Sequence, residues 1–103
     1  MNRLSDAEKA NITLGAVEVK GCGGFVGPLP SIGFDGLCLQ DAESGVRGAA
    51  LVNGYAVQLI VGASWNTSLA YERGFYVGRE HRDKGVSVAL GPVSYFNPTP
   101  STR

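Results

Sequence analysis

Nine carboxylates set the first question, which is whether any of them could act as paired acid and base: Asp6, Glu8, Glu18, Asp35, Asp41, Glu43, Glu72, Glu80 and Asp83. Most fall on expected helix faces or in turns. Asp41 differs, because it follows the apolar run Leu37-Cys38-Leu39-Gln40 and so stands at the carboxyl end of an expected buried strand, where parallel-sheet proteins keep their ligands. A turn acid capping local N–H groups is the plainer alternative. Arg47, six residues on, can pair with Asp41, share a polar ligand with it, or stay solvated. The single histidine, His81, sits between Glu80 and Arg82 and is expected on a solvated helix face with no catalytic role. Ser64 lies in no Gly-x-Ser-x-Gly elbow. Gly21, Gly23, Gly24 and Gly27 make no dinucleotide fingerprint, since residue 26 is Val and no helix opens there. Two cysteines are too few for a zinc site and the histidine is distant in sequence, so no metal site is expected.

The elements that must position these groups are few. Ser5-Asp6-Ala7-Glu8 fits a capping box, which predicts a short helix from Asp6 to about Leu14 with Gly15 as its stop. From Gly21 to Gly36 the glycines and prolines predict one long structured loop, with Cys22 and Cys38 at its ends. A disulfide there would remove about 3 kcal/mol of unfolded-chain entropy; two buried thiols are the alternative. Val57 to Ala63 reads as a second buried strand. Asn66 then caps a helix running to Lys84, with Gly85 as its left-handed end, Ala70, Gly74 and Gly78 as a smooth packing stripe, and Val77 and His81 beside that stripe. Val86 to Leu90 alternates as a third strand, so that strand, helix and strand make a βαβ unit with a parallel sheet. Residues 94–103, rich in Pro, Ser and Thr, read as a loose tail.

The chain has 103 residues, enough for one domain. With 44% hydrophobic and 17% charged residues it falls outside the disordered class. Nine basic against nine acidic side chains leave no net charge, which disfavours nucleic acid and anionic membranes as partners. No apolar signal core follows Met1, and no run approaches the ~20 residues of a membrane span. Asn11-Ile12-Thr13 and Asn66-Thr67-Ser68 are glycosylation sequons.

Around Asp41 the sequence resembles a known family. Leu37-Cys38-Leu39-Gln40-Asp41-Ala42-Glu43-Ser44-Gly45-Val46-Arg47 is similar to the Gly-Leu-Cys-Leu-Gln-Asp-Gly-Pro-Leu-Gly-Val-Arg pattern in the N-terminal part of fungal β-glucosidases of glycoside hydrolase family 3. Ala63-Ser64-Trp65-Asn66, Leu69-Ala70-Tyr71-Glu72-Arg73-Gly74, Gly78 to Val86 and Leu90-Gly91-Pro92-Val93 follow that family in order and spacing. Ser5 to Thr13 is similar to its opening helix, so the resemblance covers residues 4–93.

The resemblance implies an α/β fold, the N-terminal fragment of a (β/α)8 TIM-type barrel with about three strands and one long helix in residues 1–93, followed by a divergent tail. It implies a secreted, cofactor-free retaining glycosidase that removes terminal β-linked glucose, with Asp41 and Arg47 binding glucose hydroxyls in the −1 subsite. Independently of the resemblance, the loop ends make Cys22 and Cys38 the expected disulfide, and the sequons make Asn11 and Asn66 the candidate glycosylation positions. The family's nucleophilic Asp and acid/base Glu belong to later segments, so no catalytic residue is expected in this sequence. β-Glucosides or glucose are the implied ligands, and the remainder of the barrel or another chain the implied partner. A non-catalytic carbohydrate-binding remnant and a partner-dependent α/β fragment are the alternatives. Ala42-Glu43 replaces Gly-Pro after the binding Asp and brings a negative charge beside the sugar site; Tyr55-Ala56 replaces Phe-Pro. A parallel sheet ending after three strands is expected to be marginally stable alone.

Overall fold

The computed structural model describes residues 4–15 and 21–92. The expected tail lies outside them. Helix α1, Asp6–Leu14, begins with the reciprocal cap: the Glu8 N–H donates to Ser5 Oγ at 3.3 Å, and the Ser5 N–H donates to Glu8 Oε2 at 2.8 Å. None of its residues is buried. Its tie to the rest runs through Glu8, which accepts a hydrogen bond from the Ser31 hydroxyl. That hydroxyl first, then the Ser5 N–H and hydroxyl, hold the Glu8 carboxyl below its usual range.

Three strands form one sheet in the order β1-β2-β3: β1 is Gly24–Val26, β2 Leu37–Asp41 and β3 Val88–Leu90. The first pair is antiparallel, with Phe25 opposite Cys38; the second is parallel, with Asp41 opposite Leu90. The glycine-rich loop therefore contains strand β1 and a 3₁₀ turn, Pro30–Ile32, closed by paired bonds between Leu29 and Phe34. Gly36 has φ +94°, and a Cβ there would stand 2.5 Å from the Val26 carbonyl, so only glycine lets the chain enter β2 so close to β1. A disulfide joins Cys22 to Cys38 across this pair. Ser87 ties β3 to β2 by donating its N–H to the Cys38 carbonyl at 2.8 Å and accepting the Cys38 N–H on Oγ at 3.1 Å.

The crossover from β2 to β3 departs from expectation. Residues 58–63 are helix α2, Gln58–Ala63, not a strand. A short apolar run fits either period, and this one has no free strand beside it among the described residues, so bonds such as Val61 N–H to Val57 O satisfy the backbone locally. Only Val61 of α2 is buried, while Leu59 and Ile60 are 79% and 63% exposed. Helix α3, Thr67–Asp83, opens as expected on Asn66, whose Oδ1 accepts the Leu69 N–H at 3.0 Å, and gives way to Gly85 at φ +78°. The parallel βαβ unit thus runs β2, α2 and α3, β3.

The packed face of α3 is a second correction. Ala70, Gly74 and Gly78 are exposed, and a Cβ added at either glycine would meet nothing within 4 Å. Arg73, Val77 and His81 are the buried residues instead. Their fourfold spacing puts them on one stripe. The apolar core of the described residues is correspondingly small, comprising Cys22, Leu29, Ala42, Val46, Val61 and Val77. This is a small α/β unit with a mixed three-stranded sheet; β1 runs antiparallel to β2, unlike a strand of an all-parallel barrel.

Candidate functional site

Asp41 is the last residue of β2 and sits level with Leu90 of β3, so the strand ends deliver its carboxylate to the carboxyl edge of the parallel pair. Arg47 Nη1 donates to Asp41 Oδ2 at 2.8 Å. Their side chains are 49% and 75% exposed, which leaves most hydrogen-bonding positions open to a ligand. An ion pair this accessible adds at most about 1 kcal/mol to stability, so its value lies in what it presents rather than in what it holds.

The turn between the two residues is built from backbone constraints. Gly45 has φ +107°, and a Cβ there would stand 2.6 Å from the Asn53 carbonyl. Any other residue would be strained and would also clash. The Tyr55 N–H donates to the Ser44 carbonyl at 3.0 Å, pinning the turn to the returning chain. Gln40, 3% exposed, secures the other side: its Nε2 donates to the carbonyls of Gly21 at 2.5 Å and Arg47 at 2.7 Å, and its Oε1 accepts the Asp41 N–H at 3.1 Å. The turn thus carries Arg47 back over the strand end.

Two concavities flank the pair. One, of about 530 Å³, lies over Gly23, Gln40, Asp41 and Arg47; the other, of about 520 Å³, over Asp41, Glu43, Arg47 and Leu90. Both fall within the size of small-molecule sites, roughly 300–1,000 Å³. Glu43, which lines the second, adds a carboxylate facing whatever Asp41 would hold. A neutral polyol able to donate many hydrogen bonds fits two acids and one guanidinium better than an anion does. Among the described residues no group of three or more His, Cys, Asp or Glu side chains could hold a metal ion.

Of the other sequence-predicted positions, Asn11 lies exposed on α1 and Asn66 exposed at the cap of α3, both remote in sequence from the turn. His81 corrects the expectation of a solvated face. It is 2% exposed, with Nδ1 2.8 Å from the Val77 carbonyl and Nε2 3.1 Å from the Asp41 carbonyl. Gln40, Arg73 and His81 are site-supporting residues that sequence reasoning passes over. The signal for the two helix residues was the 73, 77, 81 spacing, an apolar residue between two polar ones on one face. Nothing in the spacing of Gln40 marks it out.

An acid at the end of a parallel strand and an arginine in the turn after it, flanked by open concavities, make a candidate polar small-molecule site on an α/β unit, and the chain is similar to proteins named beta-glucosidase. No family model matches the chain. It is 48% identical over 91 residues, 88% of its length, to a probable beta-glucosidase M of Emericella nidulans. It is 47% identical over 91 residues to the protein of the same name from Aspergillus niger, and 46% identical over 93 residues to the beta-glucosidase cel3A of Pyricularia oryzae. In each case the chain spans only 12% of the relative's length. The chain is therefore similar to a short segment of proteins named beta-glucosidase.

Proposed function

We propose that this chain is the glucose-binding N-terminal segment of a β-glucosidase-type barrel, in which Asp41 and Arg47 hold the hydroxyls of a terminal β-linked glucosyl unit. The Asp41–Arg47 pair carries this reading: it stands at the carboxyl end of a parallel strand, largely open to solvent, inside the stretch shared with the beta-glucosidases. The carboxylate accepts from sugar hydroxyls while the guanidinium donates, so the two together orient a ring that carries both functions. Charge-assisted bonds of this kind fix a substrate and sharpen transition-state binding without making or breaking a bond. Hydrolysis with retention takes a nucleophilic carboxylate and an acid/base carboxyl roughly 5–5.5 Å apart, which such enzymes draw from later segments. The chain alone binds and does not hydrolyse. The disulfide supports secretion into an oxidising compartment.

Titration of the chain with glucose and with an aryl β-glucoside, followed by backbone amide NMR, tests this. Saturable shifts at residues 41–47 that vanish in Asp41→Ala, with no release of the aryl alcohol, are expected. Shifts that persist unchanged in Asp41→Ala, or no shifts in the wild type, would overturn it. The exposure of Leu59, Ile60 and Phe75 favours a second reading, a unit whose helices are covered by another part of the barrel or another chain. Sedimentation that shows a concentration-independent monomer at high concentration would remove a second copy of this chain as that cover.

A further inference from the structure

Helix α3 reaches the turn after β2 with two buried polar side chains that sugar binding by Asp41 and Arg47 does not itself use. His81 places Nε2 against the Asp41 carbonyl, and Arg73 donates Nη2 to the Glu43 carbonyl and Nε to the Ala56 carbonyl at 2.6 Å. Two bonds from one rigid helix therefore hold the backbone at 41 and 43, while Gln40 holds the Asp41 N–H from the strand side. Both peptide groups of Asp41 are fixed, which leaves its carboxylate only side-chain rotation. Among the described residues no carboxylate pairs with Arg73 within salt-bridge distance. A buried guanidinium without a counter-ion carries a desolvation cost that Leu or Met would avoid, and here the carbonyls are what it gains.

We propose that Arg73 and His81 are positioning residues that set the Asp41 carboxylate for its ligand, an inference that rests on reading Asp41 as a sugar-binding group. Both ring nitrogens face carbonyls, Nδ1 that of Val77 at 2.8 Å and Nε2 that of Asp41 at 3.1 Å; a carbonyl oxygen only accepts, so a neutral ring donates to one of the two, and the positioning role requires the hydrogen on Nε2. The prediction is specific to this geometry. A histidine tied only to its own helix would keep the hydrogen on Nδ1, against the Val77 carbonyl.

His81 is the chain's single histidine, so a long-range proton–nitrogen NMR spectrum of the wild type reads its ring without ambiguity. A protonated Nε2 at neutral pH is expected, and a bare Nε2 overturns the proposal before any variant is made. Glucose titrations then follow, with unfolding midpoints measured in parallel. His81→Phe and Arg73→Met are expected to weaken glucose binding about tenfold, the size of one well-made hydrogen bond, while folding stays cooperative. His81→Gln, whose amide can donate to the same carbonyl, is expected to restore most of the affinity. Wild-type affinity in both His81→Phe and Arg73→Met would overturn the proposal. If the wild type binds no glucose, the sugar reading fails separately, and amide exchange across 41–47 decides the positioning role. Exchange about tenfold faster in His81→Phe upholds it, and unchanged exchange rejects it.

Discussion

Around the turn after β2 three buried side chains are polar, beside the small apolar Ala42 and Val46: Gln40, Arg73 and His81 each end on backbone carbonyls. Along α2 and α3 large apolar side chains stand exposed among the charged ones: Leu59, Ile60, Leu69, Tyr71 and Phe75. A self-sufficient domain of this size shows the opposite balance, with its largest aliphatic and aromatic groups inside. Here no large side chain falls below 2% exposure among the described residues. The difference locates what determines the shape. Covalent and polar ties specify the sheet and its site, while the helices' apolar outer faces contribute little to holding the unit together as it stands.

The largest break in that contrast comes from the disulfide. Cys22→Ala combined with Cys38→Ala frees a loop of 16 residues' separation, and a loss of about 3 kcal/mol in urea unfolding is expected. A loss below about 1 kcal/mol would mean that the sheet is held by packing after all. Gln40→Leu comes next: it fills the same space but strips the Gly21 and Arg47 carbonyls of their donor, for an expected cost of about 2 kcal/mol with slackened protection of the 41–47 amides. On the other side of the comparison, Leu59→Lys is expected to change stability by less than about 0.5 kcal/mol. A drop of more than about 1 kcal/mol in the unfolding free energy would show that the α2 face is covered in solution.

The smallest effect belongs to α1. The folded Glu8 carboxyl titrates below its usual value, so its bonds to Ser31 and Ser5 contribute fully at pH above the ordinary glutamate range and are lost as pH falls through the depressed folded value. Amide exchange in α1 should therefore quicken on acidification while β2 amides hold. A uniform change across both elements would contradict the view that α1 hangs on that one carboxylate.

What could be read from the sequence follows the same divide. Caps are local chemistry, and so Ser5 with Glu8 marked the short helix α1 and Asn66 with Gly85 the long helix α3 to within a residue or two. Asp41 at a strand end was legible because a strand's terminus depends on its own run of apolar residues. Val57 to Ala63 was not, since an apolar run of that length becomes strand or helix according to what lies beside it. Ala70, Gly74 and Gly78 suggested close packing, but smallness permits approach without causing it, and the neighbours are absent among the described residues. His81 failed for a third reason. Flanking charges implied solvent, whereas the helix period turned it towards Asp41, 40 residues earlier in the chain.

The Cys22–Cys38 bridge also bears on how the molecule would meet a protease. Its two half-cystines enclose a segment in which Pro28, Ser31, Gly33 and Asp35 are exposed, and such a segment is where nicking concentrates. A cut there would leave α1 and β1 on one piece and Asp41, Arg47 and the remaining helices on the other, still joined through sulfur. The nicked chain would migrate as one species without reductant and as two with it, and the turn from Asp41 to Arg47 would remain on a single piece.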